Sequence, residues 1–250
     1  MLTQQTLQTL RDLGLTGMAD AYHSQFEEPE TQALSFDERF GMIVDREWSA
    51  RQTRRLTRRL KKARLPLQAV VEDIDYATPR GLDRALIRSL AEGRWLQEHQ
   101  NLLLCGPTGV GKTYVACALA HAACRHGRTA RYYRVARLIG ELAIAKADGS
   151  YPQFMRQLAR TDLLLLDDWG LATLSATDAR DLLEVVDDRC TTRSTLIASQ
   201  LPVDHWHATV ADPSVADAIL DRLVHTAHKV QLKGDSMRKV RAKRTATAGT

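Results

Sequence analysis

One octapeptide constrains this chain more than any other feature. GPTGVGKT, residues 106–113, follows the apolar run NLLLC and opens the helix-forming stretch TYVACALAHAAC. Glycines at this spacing, closed by lysine and threonine between a strand and a helix, form the pattern of a phosphate-binding loop. Gly106, Gly109 and Gly111 let the backbone fold tightly enough for its N–H groups to point at phosphate oxygens, and the helix start adds its dipole. The candidate cofactor-binding run is therefore Gly106, Pro107, Thr108, Gly109, Val110, Gly111, Lys112 and Thr113, with Tyr114 directly behind it. Lys112 is expected to bridge the β- and γ-phosphates of ATP, and Thr113 to give its hydroxyl to Mg²⁺.

The surrounding sequence has the texture such a loop requires. Apolar runs at NLLLCG, ARYYRV, DLLLLDD and STLIASQ alternate with helical stretches from Lys112, at about 136–146 and at about 176–190. Short apolar strands separated by helices indicate a parallel sheet covered on both faces. LLLLDDWG, residues 163–170, ends a buried strand in two acids at the sheet edge where open α/β sheets bind ligands. Asp167 is the candidate Mg²⁺ carboxylate, and Asp168 the group that polarises the attacking water. Aspartate is one methylene shorter than the glutamate many related ATPases use; Asp168 is otherwise a capping or loop carboxylate. Ser199 and Gln200, ending TLIASQLP, are candidates to position the hydrolytic water, or an ordinary strand-end polar pair.

Before this core, residues 1–75 read as a small helical domain. Leu7 and Leu10 precede breaks at Gly14 and Gly17, and Met18, Tyr22 and Phe26 mark a second helix ending near Pro29. Ser35 and Glu38 form a capping-box pattern for a third, whose stripe Phe36, Phe40, Val44 and Trp48 is expected to pack and which can run on to Pro66. Its second half, RQTRRLTRRLKKAR, holds eight basic residues and no acidic one across 51–64. Arg51, Arg54, Arg55, Arg58 and Lys62 share one broad face, with Leu56 and Leu60 on the apolar side. Taken alone, such a run is also what a solvated helix face looks like. A linker and a helix at about 82–97 follow, within and just ahead of an ATPase domain spanning 76–242; residues after 212 turn helical, and 243–250 are expected to be a disordered basic tail.

Composition narrows the class further. Net charge is +5 and the hydrophobic share 44%, enough for a real core, with a basic excess that suits a polyanion partner. Cys105, Cys117, Cys124 and Cys190 make no CxxC pair or zinc-like spacing, which fits a reducing compartment. No signal-peptide pattern or membrane-spanning apolar run is present, so the expectation is a cytoplasmic protein without a membrane partner.

Taken in order, GPTGVGKT, LLLLDDWG, IASQLPVDHW, DAILDRLVH and KGDSMR resemble the IstB-like branch of AAA+ ATPases, insertion-sequence transposition helpers akin to DnaC-type helicase loaders. The resemblance implies ATP bound between subunits, with Arg222 of ILDRL as an arginine finger given to a neighbour and Arg238 of DSMR as a second phosphate-sensing arginine. The few residues after Arg238 leave no room for the helical lid of many AAA+ proteins. It also implies an ATP-dependent homo-oligomer, duplex DNA as ligand and an IstA-type transposase as partner. On that reading Arg51, Arg54, Arg55, Arg58, Arg59, Lys61 and Lys62 face DNA phosphates, without sequence readout. A replicative helicase loader is the alternative within the same fold. A scaffold that binds ATP without hydrolysing it also stays open. A small-molecule kinase lacks an arginine-rich lid, a GTPase its NKxD motif, and an ABC ATPase its LSGGQ.

Overall fold

The structure is a computed structural model that describes residues 2–237. The expected roles of Arg238 and of the tail at 243–250 lie outside the described residues. The chain forms two compact units, Met1–Arg58 and Arg59–Thr250.

The first unit is helical: α1 (Leu2–Asp12), α2 (Thr16–Glu27), the single turn α3 (Pro29–Gln32) and the long α4 (Phe36–Ala63), which runs on into the second unit. The capping box forms as expected, with Ser35 donating its backbone N–H to Glu38 and accepting from the Glu38 N–H through its hydroxyl. Gly17 lets α2 lie directly on α4, since a Cβ there would sit 2.8 Å from the Glu47 Cα. The face of α4 so covered carries Ile43 and Glu47, not the expected stripe. Phe36, Phe40, Val44 and Trp48 are 70%, 49%, 42% and 63% exposed. Positions four apart drift by about 40° per step around a 3.6-residue helix, so this stripe winds away from the side on which α2 packs.

The second unit is an α/β fold with a five-stranded parallel sheet of β1 (Asn101–Cys105), β2 (Ala130–Arg134), β3 (Leu163–Trp169), β4 (Ser194–Ser199) and β5 (Ala227–Gln231). The order is β2-β3-β4-β1-β5, and each neighbouring pair is parallel. Leu102 to Leu104, Leu163 to Leu166 and Leu196 to Ala198 are fully buried, as strands covered on both faces require. Leu103, Leu164, Leu166 and Ile197 join one core with α8 (Val135–Asp148), α9 (Tyr151–Arg160), α10 (Ala176–Arg189) and α11 (Pro213–Val224). The alternating strand residues face the other way, where the alanine-rich α7 (Lys112–Arg125) lies against β1, β3 and β4.

In the first unit Gly17, expected as a break, lies inside α2, and α3 fills a stretch given no element; in the second, three elements differ from the sequence expectation. The segment after 212 contains β5 as well as a helix; its residues AHKVQ pair in register with β1, but only Val230 among them is buried, so no apolar run announces them. α9 fills a stretch given no element. The helix at 82–97 is broken by Gly93, at φ +79°, into α5 (Arg84–Glu92) and α6 (Arg94–Gln97).

Candidate nucleotide site

The phosphate loop leaves the end of β1 and enters α7 at Lys112. Two of its glycines are required by close neighbours as well as by φ. A Cβ on Gly106 (φ +151°) would meet the Leu232 carbonyl oxygen at 2.4 Å, and one on Gly111 (φ +102°) the Arg80 guanidinium at 2.5 Å. Segments on either side grip the loop. After β5, Leu232 N–H donates to the Cys105 carbonyl (2.8 Å) and Met237 N–H to the Gly109 carbonyl (2.9 Å). Ahead of α5, Arg80 donates to the Val110 carbonyl (3.1 Å) and the Asp75 carbonyl (2.6 Å) while itself 4% exposed.

Lys112 turns back into this loop, donating to the carbonyls of Gly106 (2.8 Å) and Pro107 (2.9 Å). Burial pulls its pKa below the usual lysine value, against the opposing pull of Asp167 and Asp168. An ammonium ion held by two carbonyls in a desolvated loop is poised to exchange them for phosphate oxygens.

Thr113 and Asp167 meet: the threonine hydroxyl donates to Asp167 Oδ2 at 2.8 Å. A third group shares that oxygen. Tyr132, on β2, donates its hydroxyl to the same Oδ2 at 3.0 Å, while the Asp168 N–H donates to Oδ1 at 3.0 Å. Burial foremost, and the adjacent Asp167 charge, raise the Tyr132 pKa, so the phenol keeps the proton it donates. Asp168 pairs with Arg134, two residues along β2, at 3.4 Å. In a regular strand Asp167 and Asp168 would point to opposite faces. Here the register with β4 shifts between Leu166 and Trp169, and Asp168 adopts φ +60°, so both acids line one cleft of about 630 Å³ with Lys112, Thr113, Tyr132 and Arg134. Pro66, Leu67, Tyr114 and Met237 line it as well.

The donor set suits Mg²⁺. A hydroxyl and a carboxylate converge on one point, and among the described residues no cluster of three acidic, histidine or cysteine ligands competes for a metal. Mg²⁺ is commonly held by one or two protein oxygens, the remainder coming from phosphates and water.

Of the strand-end pair, Gln200 reaches the loop, accepting a hydrogen bond from the Thr108 hydroxyl. Ser199 meets the loop only through its backbone carbonyl, which accepts from Gly106 N–H at 3.1 Å; its fully buried hydroxyl instead donates to the Trp169 carbonyl and accepts from Leu201 N–H, shaping the turn that carries Gln200. Arg222 lies away from the cleft. It pairs with Asp187, and its backbone carbonyl accepts from Asn101, the first residue of β1, at the opposite edge of the sheet from Lys112. Tyr132, Arg134 and Arg80 are missing from the sequence-level candidates. Alternate residues on a second strand ending at the ligand edge could have flagged the first two; nothing local marks Arg80.

In the first unit, Arg51 and Arg54 are engaged by Glu47 at 2.7 and 3.0 Å. Burial opposes ionisation of Glu47, but hydrogen bonds from Arg51, Met18 N–H and Gly17 N–H, with the Arg54 charge, hold its pKa below the usual range. Arg55 and Arg58 join Arg51, Arg54 and Gly14 around a basic recess of about 510 Å³. Lys61 and Lys62 are exposed, and Arg59 half-buried, further along α4.

No helix among the described residues is long and apolar enough to cross a membrane. A protein named as an insertion sequence ATP-binding protein, y4pL of Sinorhizobium fredii, is 50% identical over 239 residues, covering 96% of this chain and 98% of its own. The similarly named IS1162 protein of Pseudomonas fluorescens is 51% identical over 203 residues, 81% of this chain and 88% of its own. The crystal structure of the DnaC helicase loader aligns with TM-score 0.57 at 21% identity, covering 66% of this chain and 97% of that one, a likeness of fold. A family model described as IstB-like ATP binding protein matches residues 8–246. On that match over nearly the whole chain and a relative 50% identical, this chain belongs to the IstB-like ATP-binding proteins.

Proposed function

We propose that this chain is an ATP-hydrolysing transposition helper that assembles with copies of itself on duplex DNA and directs an IstA-type transposase to its target, hydrolysis regulating the assembly. The observation that carries the reading is the meeting of Lys112, Thr113, Asp167 and Asp168 in one cleft of a chain whose relatives are named for insertion sequences.

The chemistry follows from those residues. Lys112 exchanges the Gly106 and Pro107 carbonyls for β- and γ-phosphate oxygens, and the loop N–H groups take the rest. Thr113 and Asp167 hold Mg²⁺, which when bound neutralises charge on the phosphates. Asp168, released from Arg134, orients the attacking water, and Gln200 sits at the loop mouth to sense the γ-phosphate. Arg222 serves a neighbour's cleft, and the basic side chains of α4 grip DNA phosphates.

The reading is tested by single-turnover hydrolysis with duplex DNA, single-stranded DNA or none. Duplex should stimulate best; a preference for single strands would favour a helicase loader, and ATP bound without turnover a scaffold. Lys112→Ala should lose nucleotide binding and, with it, ATP-driven assembly on DNA. Retention of that assembly would overturn the reading.

A further inference from the structure

Arg222 is held more firmly than a surface arginine needs to be. Its helix, α11, packs on α10, with Ile219 and Leu223 of the one and Leu182 and Val186 of the other joined in the main core. Its backbone is pinned as well. The buried Asn101 donates to the Arg222 carbonyl at 3.0 Å and the Leu223 carbonyl at 3.2 Å, and accepts from Thr195 N–H at 2.9 Å. The last turn of α11 is thereby tied to the starts of β1 and β4.

The side chain is fixed from two directions. Nε donates to Asp187 on α10, and Nη1 donates to the Ala218 carbonyl, one turn back on α11, at 2.8 Å. Nη2 has no partner among the described residues, and the side chain stays 31% exposed. Two nitrogens of the guanidinium are thus spent on holding it, and the third is left to give. Asp221, the neighbouring acid in the chain, makes no ion pair with Arg222 among the described residues, since consecutive residues on a helix do not face each other.

Asp187 is itself 46% exposed, and so open an ion pair adds little to stability. Its effect falls on the arginine instead. A loose arginine samples many rotamers, and ordering it at the moment of need slows any step that uses it by on the order of tenfold. A cation that must meet charge developing on a phosphate does best when it is fixed beforehand.

We propose that Asp187 is a positioning residue for hydrolysis: from α10 it holds the Arg222 guanidinium, Nη2 free, for the nucleotide in a neighbour's cleft. Asp187 touches no substrate, and its role rests on the functional reading in which Arg222 serves that cleft.

Full-length Asp187→Ala is compared with the unaltered chain by ATP affinity, single-turnover hydrolysis with duplex DNA and a circular dichroism melt. Affinity and melt should stay the same while hydrolysis slows about tenfold. Mixing then separates a misaimed arginine from damage to the chain's own cleft. Excess Lys112→Ala, with Asp187 and Arg222 intact, should restore the rate; excess Arg222→Ala should not. Hydrolysis by Asp187→Ala at the unaltered rate or faster, a matching loss of ATP affinity, no recovery with Lys112→Ala, or recovery with Arg222→Ala would each overturn the proposal. Arg222→Ala alone tests the reading beneath it. If that chain turns over normally, the intersubunit role of Arg222 fails and Asp187 with it; a silent Arg222→Ala beside a full-rate Asp187→Ala removes Asp187 alone.

Discussion

Tyr132 and Thr113 give their hydroxyls to one oxygen of Asp167. On the proposed function, in which Thr113 gives its hydroxyl to Mg²⁺, Tyr132 would be left orienting the carboxylate from behind, as outer partners of metal ligands do. Tyr132→Phe keeps the ring and its packing and removes only that donor. It should weaken Mn²⁺ binding about 10–100-fold, read by the electron paramagnetic resonance of free Mn²⁺, while metal-free nucleotide affinity stays the same. Unchanged Mn²⁺ affinity would reduce the tyrosine to packing. Lys112, Thr113 and Asp167 were legible because a phosphate loop and a strand-end acid are contiguous patterns whose chemistry follows from spacing. Tyr132, Arg134 and Arg80 were not, because each acts across the sheet or from a strap remote in sequence.

At the scale of elements, α4 was legible as a helix and misread as a surface. Its capping box, length and basic face all followed from the sequence, but which apolar side is buried depends on where α2 lies. The same packing divides the basic run by role. Arg51 and Arg54 share the buried Glu47, so replacing both with alanine strands that carboxylate and should lower stability by about 1–3 kcal/mol, read from a denaturant melt. Arg55→Ala with Arg58→Ala touches no such partner. It should instead flatten the salt dependence of duplex binding, by up to about 0.9 in log–log slope per lost phosphate contact. An unchanged slope would return these arginines to a solvated face. β5 escaped notice for a related reason: an edge strand in which Val230 alone is buried has no apolar signature, and only its pairing with β1 makes it a strand.

At the scale of the molecule, the sheet sets Arg222 and Lys112 at opposite edges, since α11 feeds the start of β5 while the phosphate loop leaves the end of β1. A five-residue strand spans about 16 Å, too far for Arg222 to serve the cleft of its own chain. On the proposed intersubunit role, Arg222→Ala should bind ATP normally yet lose hydrolysis about 10³–10⁵-fold, measured by single turnover. Arg222→Ala mixed with Lys112→Ala should recover some activity, because each supplies what the other lacks. Normal turnover by Arg222→Ala alone would end the intersubunit role.

The sequence by itself determined the fold class, the phosphate loop, the strand-end acids and the family, because each rests on local spacing: strand, glycines, lysine, acid. Tertiary structure alone decided that a bulge turns Asp167 and Asp168 into one cleft, that Tyr132 and Arg134 engage them, and that the stripe of α4 faces outward. Those outcomes depend on register and on the choice of packed face, which are set between elements distant in sequence and so leave no trace in any one of them.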